Sequence, residues 1–164
     1  MDLRQFCNRL QDALDPAVYC GGAFPEATPF ALLIKHTNRA LGRYALGVLP
    51  WEAVEEKPQL IRTARSGISK HLFTIPYLWQ VGLYLVVVGP SRDWSPLAGH
   101  MTADQTGLHS VIVQAVHFID LDSGVKLVNR SQWGLLRFGG TVPVTDVVNS
   151  ILAEPGAAAD RPRE

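Results

Sequence analysis

The amino-acid sequence predicts a single α+β domain, an antiparallel meander sheet of about five strands with helices packed on it. Three observations carry this reading. Short apolar runs of strand length alternate with longer segments whose apolar residues recur every three or four positions. Gly, Asn, Asp and Pro fall between neighbouring runs, as hairpin turns require. Hydrophobic residues make up 47% of the 164 residues and charged ones 18%, a balance that suits a packed core and excludes a disordered chain.

Residues 2–15 read as a helix. Leu3, Phe6, Cys7, Leu10 and Leu14 fall on one face, Asp2 is the natural N-cap, and Asp15-Pro16 ends the pattern. Residues 16–28 hold Pro16, Gly21, Gly22 and Pro25 and form a loop. Residues 30–36 and 43–49 read as two strands of a hairpin. Pro50 stops the second strand, and Glu52, Glu55 and Glu56 suit the first turns of a helix. Pro58 restarts that helix, and Leu60, Ile61, Ala64, Ile68 and Leu72 give residues 58–73 their apolar stripe. Gly67 is its weak point, at about 1 kcal/mol relative to Ala.

Residues 80–88 are nearly continuous in apolar side chains, which predicts a central strand covered on both faces. Residues 89–109 show no clear period and several Pro and Gly, so they read as a long loop, a type of segment that tends to be functional. Residues 110–121 form another strand, Asp122-Ser123-Gly124 a turn, and 125–129 the returning partner. Residues 134–139 fit either a short strand or irregular packing. A last helix spans 142–153, and the domain ends near 154. Residues 155–164, rich in Pro, Ala and charge, read as a disordered tail.

The predicted order is αββαβββα. It resembles, in element order, the profilin-like and roadblock-type small domains that act as adaptors and dimerisation platforms. Small secretion-chaperone folds and nuclease folds with a mixed sheet are compatible with the same order, and fold alone does not fix function.

Composition narrows the function classes. Fifteen basic and fifteen acidic residues sum to zero, which argues against a dedicated nucleic-acid binder. The cancellation is regional. Residues 35–70 hold seven basic groups and three acidic ones, whereas 92–122 hold four acidic groups and one basic. Two faces of opposite sign suit self-association or a protein partner. Cys7 and Cys20 do not make a disulfide framework, and Cys7 falls on the apolar helix face. No leader-like apolar segment follows Met1, and no apolar run reaches the ~20 residues of a membrane span. The expected setting is therefore cytoplasmic, without a membrane, and the Arg-rich composition fits a GC-rich bacterial genome.

Five features could carry chemistry or binding. Asp93, His100, Asp104 and His109 gather imidazoles and carboxylates in the 89–109 segment, the groups needed for acid–base or metal chemistry. His117, Asp120 and Asp122 follow in the next strand. Period-2 alternation places His117 with Val111, Val113, Ala115 and Ile119, and the two carboxylates on the other side unless a bulge intervenes. Arg62, Arg65 and Lys70 lie opposite the apolar stripe of the main helix and could hold a phosphate or an acidic partner. Trp94 is the indole expected at the surface, as a contact residue. Gly139-Gly140-Thr141, ahead of the last helix, could cradle an anion. No complete nucleophile, nucleotide or metal motif is present, and no cofactor is expected. The expected function is a non-catalytic protein-interaction or adaptor domain, homodimeric, using a sheet edge and the 89–109 segment. The alternatives are a small metal-dependent hydrolase or nuclease on the 89–122 carboxylates and histidines, and a phosphate- or nucleic-acid-binding module on the basic helix face.

Overall fold

The computed structural model describes residues 1–14, 29–37, 43–72, 74–75, 80–101, 110–130 and 144–153. Their elements run in the order α1 (Leu3–Ala13), β1 (Leu32–Thr37), β2 (Arg43–Pro50), α2 (Leu60–His71), β3 (Val81–Val88), α3 (Ser91–Ala98), β4 (Val111–Ile119), β5 (Lys126–Arg130) and α4 (Val144–Ala153). Two single 3-10 turns, Trp51–Ala53 and Lys57–Gln59, precede α2. None of the described helices is long and apolar enough to cross a membrane.

The five strands form one sheet in the order β1-β2-β3-β4-β5. β1 with β2 and β4 with β5 are antiparallel hairpin pairs, as expected. The antiparallel meander is corrected in the middle, because β2, β3 and β4 run parallel. The cause lies in the connections. Each of these two links contains a helix, α2 or α3, which carries the chain back to the starting end of the sheet. Both helices pack on the same face, as right-handed crossovers demand when the strand order advances in one direction.

On the first face, Leu33, Leu83, Leu85 and Phe118 lie under Ala64, Ile68 and Trp94 of α2 and α3. On the second face, Ile34, Leu46, Val86 and Ile119 lie under Phe6, Leu10, Val148 and Ile151 of α1 and α4. Burying each such side chain contributes about 1.5–3 kcal/mol, so the two-sided sheet is the stability centre. β3 sits at the middle of it, as its apolar run predicted.

Two local features explain how helix and sheet approach. The Phe30 ring, just before β1, lies between Gly47 of β2 and Gly67 of α2. A Cβ at either glycine would come within 2.6 or 2.7 Å of that ring. Gly67, weak by propensity, is thus the socket that lets α2 close on the sheet. The second feature is a bulge in β4. Val113 pairs with Leu83 but Ala115 with Tyr84, so Gln114 is an extra residue. The bulge corrects the expected facing of this strand. Val111 and Val113 turn to the first face, and Ile119 to the second with Ala115 and His117.

The segment 89–109 is also corrected, because its first half is α3. Trp94 and Ala98, four residues apart, form the buried side. Pro96 stands inside this helix and forgoes one backbone hydrogen bond, which is why it read as a breaker. Side chains from outside the helix hold both of its ends, as described below. Elsewhere the elements are those expected, within a few residues. Asp2 caps α1 in a full capping box, its carboxylate accepting from the Gln5 backbone N–H at 2.7 Å. Gly124 closes the β4–β5 turn at φ 73°, the left-handed region that glycine favours. The stretch expected to be helical from Pro50 onward is two 3-10 turns until α2 begins at Leu60. Residues 16–28, 134–139 and 155–164, and the Gly139-Gly140-Thr141 turn, lie outside the described residues.

Candidate functional site

The end of the sheet where β3 and β4 finish is built around Asp120. Its Oδ2 accepts from the Ser91 backbone N–H at 2.9 Å, which caps the N-terminus of α3. Its Oδ1 accepts from the backbone N–H groups of Asp122 at 3.0 Å and Ser123 at 3.1 Å. Burial alone would raise this carboxyl, but the hydrogen bonds from Ser91 and Ser123 outweigh it and hold Asp120 well below the usual carboxylate range. Asp120 therefore spends its charge on a helix N-terminus and a turn. Among the described residues, no group of three His, Cys, Asp or Glu side chains could hold a metal ion.

His117 stands on the second face, 1% exposed, with Nε2 2.9 Å from the Thr145 hydroxyl in the first turn of α4. Its Nδ1 meets no partner at hydrogen-bonding geometry among the described residues. Burial pushes the imidazole down to about 4, against an opposing pull from the Leu85 backbone and with a further push from the Arg130 charge. It is a neutral histidine that pins α4 to the sheet. Nearby, Tyr44 and Tyr84 bring their rings to 6.1 Å, and burial with the Tyr84 neighbour raises the Tyr44 phenol.

The expected site residues scatter. Asp93 lies in the first turn of α3, half-exposed, with its carboxylate 3.7 Å from Arg92 Nε. So solvated a pair contributes little. His100 is exposed just past α3, and Asp104 and His109 lie outside the described residues. Trp94, expected at the surface, is buried. Its Nε1 donates to the Gly89 carbonyl at 2.8 Å, and its ring lies 5.6 Å from that of Phe118. The four-residue spacing from Trp94 to Ala98 was the signal for a core role.

On α2, Arg62 and Lys70 are exposed, and Arg62 Nη1 reaches Gln59 Oε1 at 3.4 Å. Arg65 is half-buried, which lowers its guanidinium from its ordinary value. Lys57, counted in the same basic region, serves the fold. Its Nζ donates to the carbonyls of Trp51 and, at 2.6 Å, Val54, and sits 4.9 Å from the Trp51 ring centroid.

The feature the sequence reading passed over is β5. It was assigned only as a hairpin partner, yet among the described residues it is an edge strand with a mixed surface. Val125 and Leu127, at 46% and 38%, are the exposed large hydrophobics among the described residues. Register fixes the faces. Lys126, Val128 and Arg130 lie opposite Ile119, His117 and Ala115 on the second face, and Leu127 opposite Phe118 on the first. Two residues brace the strand. Asn129 Nδ2 donates to the carbonyls of Ala98 at 2.7 Å and Met101 at 3.0 Å, which holds the C-terminal end of α3. Lys126 Nζ donates to Asn149 Oδ1 of α4 at 2.6 Å. In the sequence this edge shows only as the short run Lys-Leu-Val-Asn-Arg, with a charge at each end. Comparison with protein-family models, curated proteins and solved structures finds no match.

Proposed function

We propose that the chain is a non-catalytic protein-interaction domain that takes a partner strand on the outer edge of β5. The observation that supports this reading is the placement of Val125 and Leu127. Leu127 is an exposed apolar side chain on β5 and Val125 another directly before it, beside the exposed Lys126 and Arg130 and the partly buried Val128 and Asn129. An edge strand carries a row of backbone N–H and C=O groups ready for a further strand, and adjacent apolar side chains add affinity when it docks. The strand is also braced before binding, since Asn129 and Lys126 bond it to α3 and α4. A preordered edge lowers the ordering cost of association.

The test is amide hydrogen exchange. A neutral strand-forming peptide of alternating Thr and Val should slow exchange in β5 and leave β1 unchanged. Sedimentation velocity at two concentrations reads self-association of the same edge. A chain that shows neither peptide-dependent protection of β5 nor self-association at high concentration is not an interaction domain of this kind.

A further inference from the structure

Resting on the interaction reading, we infer that the β5 edge selects an extended acidic segment, with carboxylates two residues either side of an apolar side chain. The inference comes from what stands on the second face of β5. Lys126, Val128 and Arg130 alternate there, with both cations exposed and about 13 Å apart along the strand. A strand laid against β5 places its own alternate side chains directly opposite these three. Carboxylates opposite Lys126 and Arg130, and a Val or Ile opposite Val128, complete the face. Turned to the other face, the intervening residues meet Leu127, so an apolar side chain fits there too. The pattern reads the same in both chain directions, so parallel and antiparallel docking are both served.

The same charges disfavour other occupants. A second copy pairing antiparallel about Val128 would set Lys126 of one chain against Arg130 of the other. Like charges directly opposite are destabilising. A basic segment meets the same repulsion. The Lys126 ammonium is directed to this face by its hydrogen bond to Asn149 Oδ1. Within β4 and β5, Arg130 has no acidic neighbour on its own face of the sheet. The side chains lying there in β4 are Ala115, His117 and Ile119, and those in β5 are Lys126 and Val128. The surface is therefore gated, closed to itself and open to a partner of opposite charge.

The experiment uses the full chain and three peptides of alternating pattern: Thr-Glu-Val-Val-Val-Glu-Thr, the same with Thr for Glu, and the same with Lys for Glu. Binding is read by titration at low and physiological salt, with β5 amide protection as the positional readout. The acidic peptide should bind at least about fivefold more tightly than the neutral one, and the advantage should shrink with salt. Lys126→Glu with Arg130→Glu should reverse the preference, so that the Lys peptide binds best. That reversal is a gain of binding that a misfolded variant could not show. Equal binding of the acidic and neutral peptides overturns the inference and leaves the interaction reading standing. Protection by the Lys peptide on the native chain overturns it as well. Failure of all three peptides overturns both, unless sedimentation shows a dimer, which would overturn the charge gate alone.

Discussion

At one edge of the sheet, β1 buries Leu32, Leu33 and Ile34 between α1 on one side and the Phe30 wedge on the other. At the opposite edge, β5 leaves Lys126, Leu127 and Arg130 exposed. The two strands are of similar length, and among the described residues both end the same hydrogen-bonded ladder. What differs is how each manages its free edge. β1 offers little beyond its backbone, since Leu32, Leu33 and Ile34 belong to the two cores. β5 is guarded by charge, which repels like strands but leaves the backbone reachable. Stability should therefore live at the β1 edge and recognition at the β5 edge. Substitutions that move one without the other would sharpen that division.

The largest effect is expected from Phe30→Ala. The ring fills the space between Gly47 and Gly67, so its loss leaves a cavity between β2 and α2. Urea denaturation should show a loss of about 3–5 kcal/mol. Binding at β5 should be unchanged at temperatures where the variant remains folded. If peptide affinity fell in step with stability, the edges would not be independent.

Acid comes next and bears on the strands behind β5. The folded His117 titrates near 4, below its ordinary 6.5, so the folded state holds it neutral where the unfolded chain would protonate it. Its contribution is fully present above pH 6.5. It is lost as pH falls from 6.5 to 4, and amounts to about 3 kcal/mol at most. Asp120 acts in a separate and lower window. Its folded carboxyl titrates below its ordinary 3.8, so the stability it supplies is lost only as pH falls beneath about that value. Thermal denaturation across pH should show the upper window flatten in His117→Gln and the lower one remain. An unchanged slope between pH 6.5 and 4 in that variant would remove His117 from the account.

A smaller effect is expected from Asn129→Ala, which strips the carbonyls of Ala98 and Met101 of a shared donor. The loss should be about 1–2 kcal/mol. It should also raise amide exchange at the C-terminal end of α3 before it does so in α2.

How much of this was legible in the sequence depends on the kind of signal. Periodicity exposed α1, α2, α4 and the strands, because amphipathic spacing is a local property. The capping role of Asp2 and the glycine turn at Gly124 were legible for the same reason. Strand direction was not. It depends on whether a connection contains a helix, and Pro96 disguised α3 as loop. The facing of His117 was not legible either, since the bulge at Gln114 is set by pairing with β3 and not by the β4 sequence. Trp94 looked like a surface indole until its place on a short helix put it against Phe118. The candidate edge was the least legible part. A five-residue strand with two charges looks like any hairpin return, and only its position at the end of the sheet makes those charges a gate.

The smallest effect on stability, and the sharpest on the comparison, is expected from Leu127→Ser. Leu127 is 38% exposed and lies opposite Phe118 at the rim of the first face. Partial burial leaves it little to lose on truncation, so denaturation midpoints should shift by about 0.5 kcal/mol or less. A docked strand would cover what is now exposed, and the same substitution removes that contact from the bound state alone. Affinity for the acidic peptide should then fall severalfold while stability holds. Leu33→Ala in β1 should do the reverse, because that side chain is already covered on every side. Equal losses of stability from the two substitutions would mean that β5 belongs to the core as fully as β1 does, and the functional division between the edges would fail.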